Sequence, residues 1–241
     1  MKFTGKKIVI TGASRGIGEA TARLLAEGKN TLFLTSRTIS KNKNLLSYLE
    51  EKGSVVYHFD ADLSKLTDIK AMYDFFMSKT DSIDCLINNA GRGIYKPITE
   101  EKAETIKEIV DLNLTGLIYT TALFSPNLIK NNGTIINIAS VAGRKGFMGL
   151  STYCATKWGV VGFSESIRDE LCSKNVRVIT VEPGLVDTDW GEDLPDAFKQ
   201  YKRSVNMLSS EDIAKTILFA LEQPDHVSLN EILIRPTNQP R

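Results

Sequence analysis

The chain has 241 residues, 42% of them hydrophobic and 24% charged, enough for one sizeable core. Its 30 Lys and Arg against 29 Asp and Glu leave a formal net charge of +1, which offers no electrostatic footprint for nucleic acid or an anionic membrane. No apolar run approaches the ~18 residues of a membrane span, and the apolar stretch at 8–10 is too short for a signal-peptide core. Cys85, Cys154 and Cys172 match neither a disulfide framework nor a metal site, so a reducing cytoplasm is expected.

Short β-branched runs alternate with longer amphipathic stretches, the pattern of βαβ units around a parallel sheet. The first strand is expected over 7–11, and TGASRGIG over 11–18 follows it directly to open a helix over 16–27. Gly12 would allow the tight turn, Gly16 the close approach of a pyrophosphate, and Gly18 close helix–sheet packing. The helix N-terminus would add amide donors and a favourable dipole. Ser14, Arg15 and Ile17 lie in the same turn and are counted with the glycines as cofactor contacts. The same glycines would also serve a turn that binds nothing; their place between strand one and helix one favours a dinucleotide.

The second strand, 31–36, ends at Ser36 and is followed by Arg37. An acidic residue at this point would bind the ribose 2′-hydroxyl of NAD. With serine there, nothing repels a 2′-phosphate, and Arg37 with Arg15 could clamp one. A charge-assisted hydrogen bond of about 1.5–3 kcal/mol would shift preference about tenfold to a hundredfold, so the expected cofactor is NADP as NADPH. Two solvated surface arginines are the plainer alternative.

A helix over 41–52, a strand over 55–60, a helix over 66–79 and a strand over 85–88 come next. Helices over 99–111 and 114–130 lead to a strand over 134–139, which runs straight into Ser140. Residues just past the C-termini of parallel strands line the ligand crevice, so Ser140 is placed to reach a bound carbonyl. The helix expected over 151–172 puts Tyr153 and Lys157 at i and i+4 on one face. A nearby cation stabilises phenolate and lowers a tyrosine pKa from about 10, which makes the phenol a usable acid or base. Tyr48 and Lys52 repeat that spacing, but follow no crevice-lining serine and have two glutamates between them. A strand over 176–181, an irregular segment over 184–209 that would serve as a lid, a helix over 210–223 and a strand over 231–234 complete the chain. The sum is an α/β, Rossmann-like, doubly wound, seven-stranded parallel sheet with helices on both faces, in a single domain over 1–241.

Several motifs in one order now carry a resemblance: 11–18, Asp62 with Leu63, NNAG over 88–91, Asn113, Ser140, Tyr153, Lys157, and Pro183 with Gly184 and Thr188. The chain resembles the short-chain dehydrogenase/reductase family over nearly its whole length. The resemblance implies an oxidoreductase in which Tyr153 protonates the substrate oxygen while hydride reaches the carbon. Ser140 would orient the carbonyl, Lys157 would bind the nicotinamide ribose and depress the tyrosine pKa, and Asn113 would hold a relay water or cap its helix. Asp62 and Leu63 would meet the adenine, and Asn89, Ala90 and Gly91 the cofactor, with Asn88 bracing the fourth strand. Pro183, Gly184, Val186 and Thr188 would cover the nicotinamide end. Relatives pair helices matching 114–130 and 151–172, which implies a homodimer or homotetramer.

Substrate signals are weaker. The stretch 223–237 resembles the branch of serine and 3-hydroxy acid dehydrogenases and is unlike the glycine-rich ending of 3-oxoacyl-carrier-protein reductases. A small carbonyl or hydroxy compound is the expected substrate, with a 3-hydroxy acid as one case. Arg92 and Arg144 could receive a carboxylate, as could Lys145, though each also fits a solvated loop charge. Phe147, Met148 and Trp190 could wall the pocket. Cys154 reads as a buried inert thiol, and His58 and His226 lack ligand partners, so no metal is expected. A 3-oxoacyl thioester reductase and a non-enzymatic NADP-sensing regulator on the same fold are the competing readings.

Overall fold

The computed structural model describes residues 3–188 and 196–240. Its seven strands form one parallel sheet in the order β3-β2-β1-β4-β5-β6-β7. They are β1 (Lys7–Thr11), β2 (Thr31–Ser36), β3 (Val55–Asp60), β4 (Cys85–Asn88), β5 (Thr134–Ile138), β6 (Arg177–Pro183) and β7 (Glu231–Ile234). The helices are α1 (Gly16–Ala26), α2 (Lys43–Glu51), α3 (Leu66–Met77), α4 (Ala103–Val110), α5 (Gly116–Lys130), α6 (Ser151–Cys172), α7 (Asp196–Ser204) and α8 (Ser210–Leu221).

Alternation along the strands explains the two layers. Ile8 and Ile10 point toward α1, α2 and α8, where they pack with Leu25, Leu45, Ile213 and Ile217. Val9, one residue between them, points the other way, to Ile69, Phe76, Phe124 and Leu171 of α3, α5 and α6. Both faces are dry, which is why the strands read as continuous apolar runs rather than alternating ones.

Sequence order reverses at β1, where the chain builds outward first through β2 and β3 and then through β4. Such a switch point opens a crevice beyond the strand C-termini, and the glycine turn after β1 and the loop after β4 both open there. Two local features differ from the expected elements. A π-helical turn, Asp111–Thr115, joins α4 to α5, so the two helices run on without the expected break. The segment 184–209, expected to be irregular, contains α7 and a parallel bridge from Val186 to Leu208.

Candidate active site

The glycine turn is built by close contacts that exclude side chains. Gly12 and Gly16 have φ of +64° and +55°, a region that favours glycine. A Cβ on Gly12 would fall 2.8 Å from Ala90 Cα, and one on Gly18 would fall 2.2 Å from the Gly12 carbonyl oxygen. Thr11 Oγ1 accepts from the amides of Asn89 at 2.9 Å and Ala90 at 3.0 Å, and Asn89 Nδ2 donates back to the carbonyls of Thr11 and Gly12. Asn89 therefore braces the turn with its side chain. Asn88 braces β4, as expected, by donating to Thr121 Oγ1 and to Asn137 Oδ1, both at 2.9 Å. Asn42, the N-cap of α2, donates to the Ser14 carbonyl at 2.9 Å and ties a second helix to the turn.

Arg15 in this turn and Arg37 after β2 are exposed at the surface, and Ser36, next to Arg37, is half-buried. Burial tends to raise the Asp62 carboxyl, but bonds from the Ser64 hydroxyl and amide, with Lys65 and Arg37 nearby, outweigh it and hold the group below the usual carboxylate range. Leu63 is buried next to it.

The chemistry-bearing side chains meet past the ends of β5 and β6. Ser140 caps a 3-10 turn, Val141–Gly143, by accepting from the Ala142 amide at 3.1 Å. Its hydroxyl also bonds Tyr153. Lys157 is 5% exposed; its Nζ donates to the Ile138 carbonyl at 2.7 Å and lies 5.8 Å from the Tyr153 ring centroid. A Cβ on Gly91 would stand 3.2 Å from Asn113 Oδ1 and 3.7 Å from Lys157 Nζ, so glycine keeps the approach to that amine open. Asn113, fully buried in the π turn, has its side chain committed. It accepts from the Arg92 amide at 2.9 Å and donates to the Arg92 carbonyl and to Thr156 Oγ1.

Electrostatics in the protein alone run against the expected lowering of the tyrosine. Burial pushes the Tyr153 phenol up to about 12, with the Ser140 hydrogen bond pulling the other way. Burial likewise pushes the Lys157 ammonium down to about 8. Desolvation outweighs the Ser140 hydrogen bond, and the phenol holds its proton at neutral pH.

Aromatic side chains from two loops and a helix gather beside Tyr153. Tyr95 lies on Gly149, where a Cβ would be 2.7 Å from its ring, and the Lys96 amide donates to the Gly149 carbonyl at 2.8 Å. Tyr95, Phe147 and Tyr153 pack around Ala142, Leu150 and Cys154. From α7, Phe198 reaches Tyr95 with ring centroids 5.7 Å apart. Phe147 is thus packed in this cluster, whereas Met148 is 88% exposed. Trp190 lies outside the described residues.

The candidate cations for a carboxylate are differently placed. Arg92 pairs with Glu108 at 3.0 Å. Arg144 forms a two-pronged pair with Glu182 at 2.8 and 2.7 Å and also meets Glu231 at 2.7 Å, so its guanidinium holds structure rather than facing the pocket as a lone cation. Opposite the glycine turn, Gly184 packs under Gln239 and Arg235, and the Leu185 amide donates to Gln239 Oε1 at 2.9 Å. Thr188 faces Gly16, since a Cβ there would sit 3.4 Å from Thr188 Cγ2. Pro183, Gly184, Val186 and Thr188 therefore form one rim and 12–18 the other.

Thr11, Thr156, Tyr95 and Glu182 take part in this site and were not legible as candidates. Tyr95 and Glu182 are brought there by partners distant in sequence, Gly149 for Tyr95 and Arg144 for Glu182. Among the described residues no group of three or more His, Cys, Asp or Glu is placed to hold a metal ion, and no helix is long and apolar enough to cross a membrane. The exclusions around Gly12 and Gly18, the open approach past Gly91 and the half-buried phenol beside a buried ammonium fit a dinucleotide laid across the crevice with its reactive end at Tyr153.

Comparison with known proteins agrees. The short chain dehydrogenase family profile matches residues 6–198. An NADP-dependent 3-hydroxy acid dehydrogenase of Schizosaccharomyces pombe is 34% identical over 247 residues, covering 99% of this chain and 95% of that protein. An alcohol dehydrogenase of the archaeon Thermococcus sibiricus, solved with 5-hydroxy-NADP, superposes with a TM-score of 0.88 at 28% identity and 98% coverage of both chains. A metagenomic short-chain oxidoreductase in complex with NADP gives 0.85 at 30% identity, covering 98% of this chain and 100% of that one. The chain belongs to the short-chain dehydrogenase family of oxidoreductases.

Proposed function

We propose that this oxidoreductase moves a hydride between NADP(H) and a small carbonyl or hydroxy compound, with Tyr153 giving a proton to the carbonyl oxygen or taking one from the alcohol. The observation that carries this reading is the cluster of Ser140, Tyr153 and Lys157 past the end of β5. When bound, the nicotinamide supplies or receives the hydride. The residues that would hold it are 12–18, with Arg15 and Arg37 on a 2′-phosphate, Asp62 and Leu63 at the adenine, 89–91 along the crevice, and Pro183, Gly184, Val186 and Thr188 at the far end. Selection of NADP rests on Ser36 in place of a carboxylate and on the exposed arginines beside it. The two NADP-bound solved structures and the NADP-dependent relative support it.

Tyr153 enters the reaction protonated, because burial holds its phenol up at about 12. Ser140 fixes the carbonyl oxygen within reach of that proton by hydrogen bonding. As the proton leaves, phenolate charge develops beside Lys157, whose ammonium offsets it in a site with little water. Asn113 holds Arg92 and Thr156, and so fixes the floor under Lys157.

A substrate with an apolar flank suits the wall of Tyr95, Phe147 and Leu150. A second reading, oxidation of a 3-hydroxy acid, is favoured by the Schizosaccharomyces pombe relative. NADPH consumption against small ketones, 3-oxo acids and acyl thioesters separates these two and the thioester reductase. Tight NADPH binding with no turnover of any of them would instead make the protein a sensor. Pairing of copies through α5 and α6 is part of this proposal; Ile118 and Trp158 are exposed on those helices, and light scattering reads the assembly.

A further inference from the structure

Arg144 is joined to a carboxylate that has no reason to be buried for stability alone. The Glu182 side chain is 1% exposed on β6, and taking a carboxylate out of water costs several kcal/mol unless a partner with good geometry meets it. Arg144 supplies that partner with two prongs, and Glu231, paired in register with Thr180 beside it, adds a third contact. Replacing such a cluster by apolar side chains is often neutral or stabilising. Its location is the informative point. Glu182 immediately precedes Pro183 and Gly184, one rim of the crevice, and Arg144 closes the turn that begins at Ser140, through bonds from the Gly143 amide to the Ser140 carbonyl at 2.9 Å and from the Arg144 amide to the Val141 carbonyl at 3.0 Å. On its inner side the turn is wedged against α6. A Cβ on Gly143 would stand 2.8 Å from the Lys157 carbonyl oxygen.

We infer that Arg144 and Glu182 are positioning residues, a clasp that locks the Ser140 turn between the Pro183 rim and the helix carrying Tyr153 and Lys157, and so sets the Ser140 hydroxyl against the reacting oxygen. The inference rests on the proposed reaction for its consequence, but the clasp itself is a property of the protein without cofactor. It also assigns Arg144 away from the substrate carboxylate. Ser140 lies 3.5 Å from the Pro183 carbonyl, so both ends of the clasp bear on the same hydroxyl. A lysine in place of Arg144 would keep the charge but lose the fork.

The test uses the full-length protein with Arg144→Lys, Arg144→Met and Glu182→Gln. A positioning role predicts that kcat falls about tenfold or more in Arg144→Met and Glu182→Gln, less in Arg144→Lys, with KM little changed and NADPH affinity intact. The loss should be equal for a neutral ketone and for the matching 3-oxo acid. A rise in KM confined to the acid would overturn the inference and make Arg144 a substrate ligand. Unchanged kcat with a lowered Tm would also overturn it and make the clasp structural only. Amide exchange of the cofactor-free protein gives an independent readout. Peptides spanning 138–146 should lose protection in Arg144→Met and Glu182→Gln, and unchanged protection there would overturn the clasp. If wild type turns over no carbonyl compound yet exchange responds, the functional reading fails and the clasp stands.

Discussion

Tyr48 with Lys52 and Tyr153 with Lys157 share a spacing, and the molecule gives them opposite chemistry. Around the first pair lie Arg23, 4.6 Å from the Tyr48 ring, and Glu27, which accepts from the Tyr48 hydroxyl and pairs with Lys52 Nζ at 2.8 Å. The Glu27 carboxylate raises the Lys52 ammonium above its ordinary value, whereas burial pushes Lys157 down to about 8. A helical i,i+4 interval brings a phenol and an ammonium together in both places. Desolvation and the Ser140 hydroxyl govern one pair, whereas the Glu27 carboxylate governs the other.

The largest expected effect is on turnover. Tyr153→Phe should lower kcat by about a thousandfold, within the range that general acids contribute, while Tyr48→Phe leaves it unchanged. NADPH oxidation followed at steady state reads both, and comparable losses would break the comparison. Lys157→Met should cost about a hundredfold in kcat, with Lys52→Met silent.

The lysines also differ in the sign of their effect on stability. Folded Lys157 gives up its proton near pH 8, and an unfolded lysine does so near 10.5. Between those values the unfolded chain binds more protons, so stability rises with pH by about 3 kcal/mol. Denaturant melts of wild type minus Lys157→Met should show that rise. Lys52 has the opposite sign, since its raised value adds stability at lower pH that is lost as pH climbs through it. A Lys52→Met difference that also rose between pH 8 and 10.5 would put the two sites in one class. The smallest effect concerns the proposed cofactor. Arg37→Ala should weaken NADPH binding about tenfold to a hundredfold and leave NADH binding unaltered, as read by fluorescence titration.

Much of this was legible from residue order because short-range rules act on it. The apolar runs at 8–10, 32–34 and 135–136 mark strands covered on both faces, and the glycines at 12, 16 and 18 mark a turn that side chains would block. The segment α7 was not legible. DAFKQYKRS carries only Phe198 and Tyr201 as large apolar side chains, too few for a periodic stripe, and the helix is held through their contacts with one another and with Tyr95. The π turn at Asp111–Thr115 was read as a gap between helices, since a shift from i+4 to i+5 bonding leaves no mark in composition.

By itself the sequence determined the layers, the crevice and the residues that could act there, because hydrophobic period, glycine sterics and helical spacing are properties of neighbours along the chain. The tertiary structure set the surroundings of the two tyrosines apart. Burial, the Ser140 hydroxyl and the Ile138 carbonyl come from segments far apart in sequence, and desolvation depends on what packs around a group. The same physics turned Arg144 from a candidate substrate cation into the partner of Glu182, a carboxylate whose burial no local pattern could reveal.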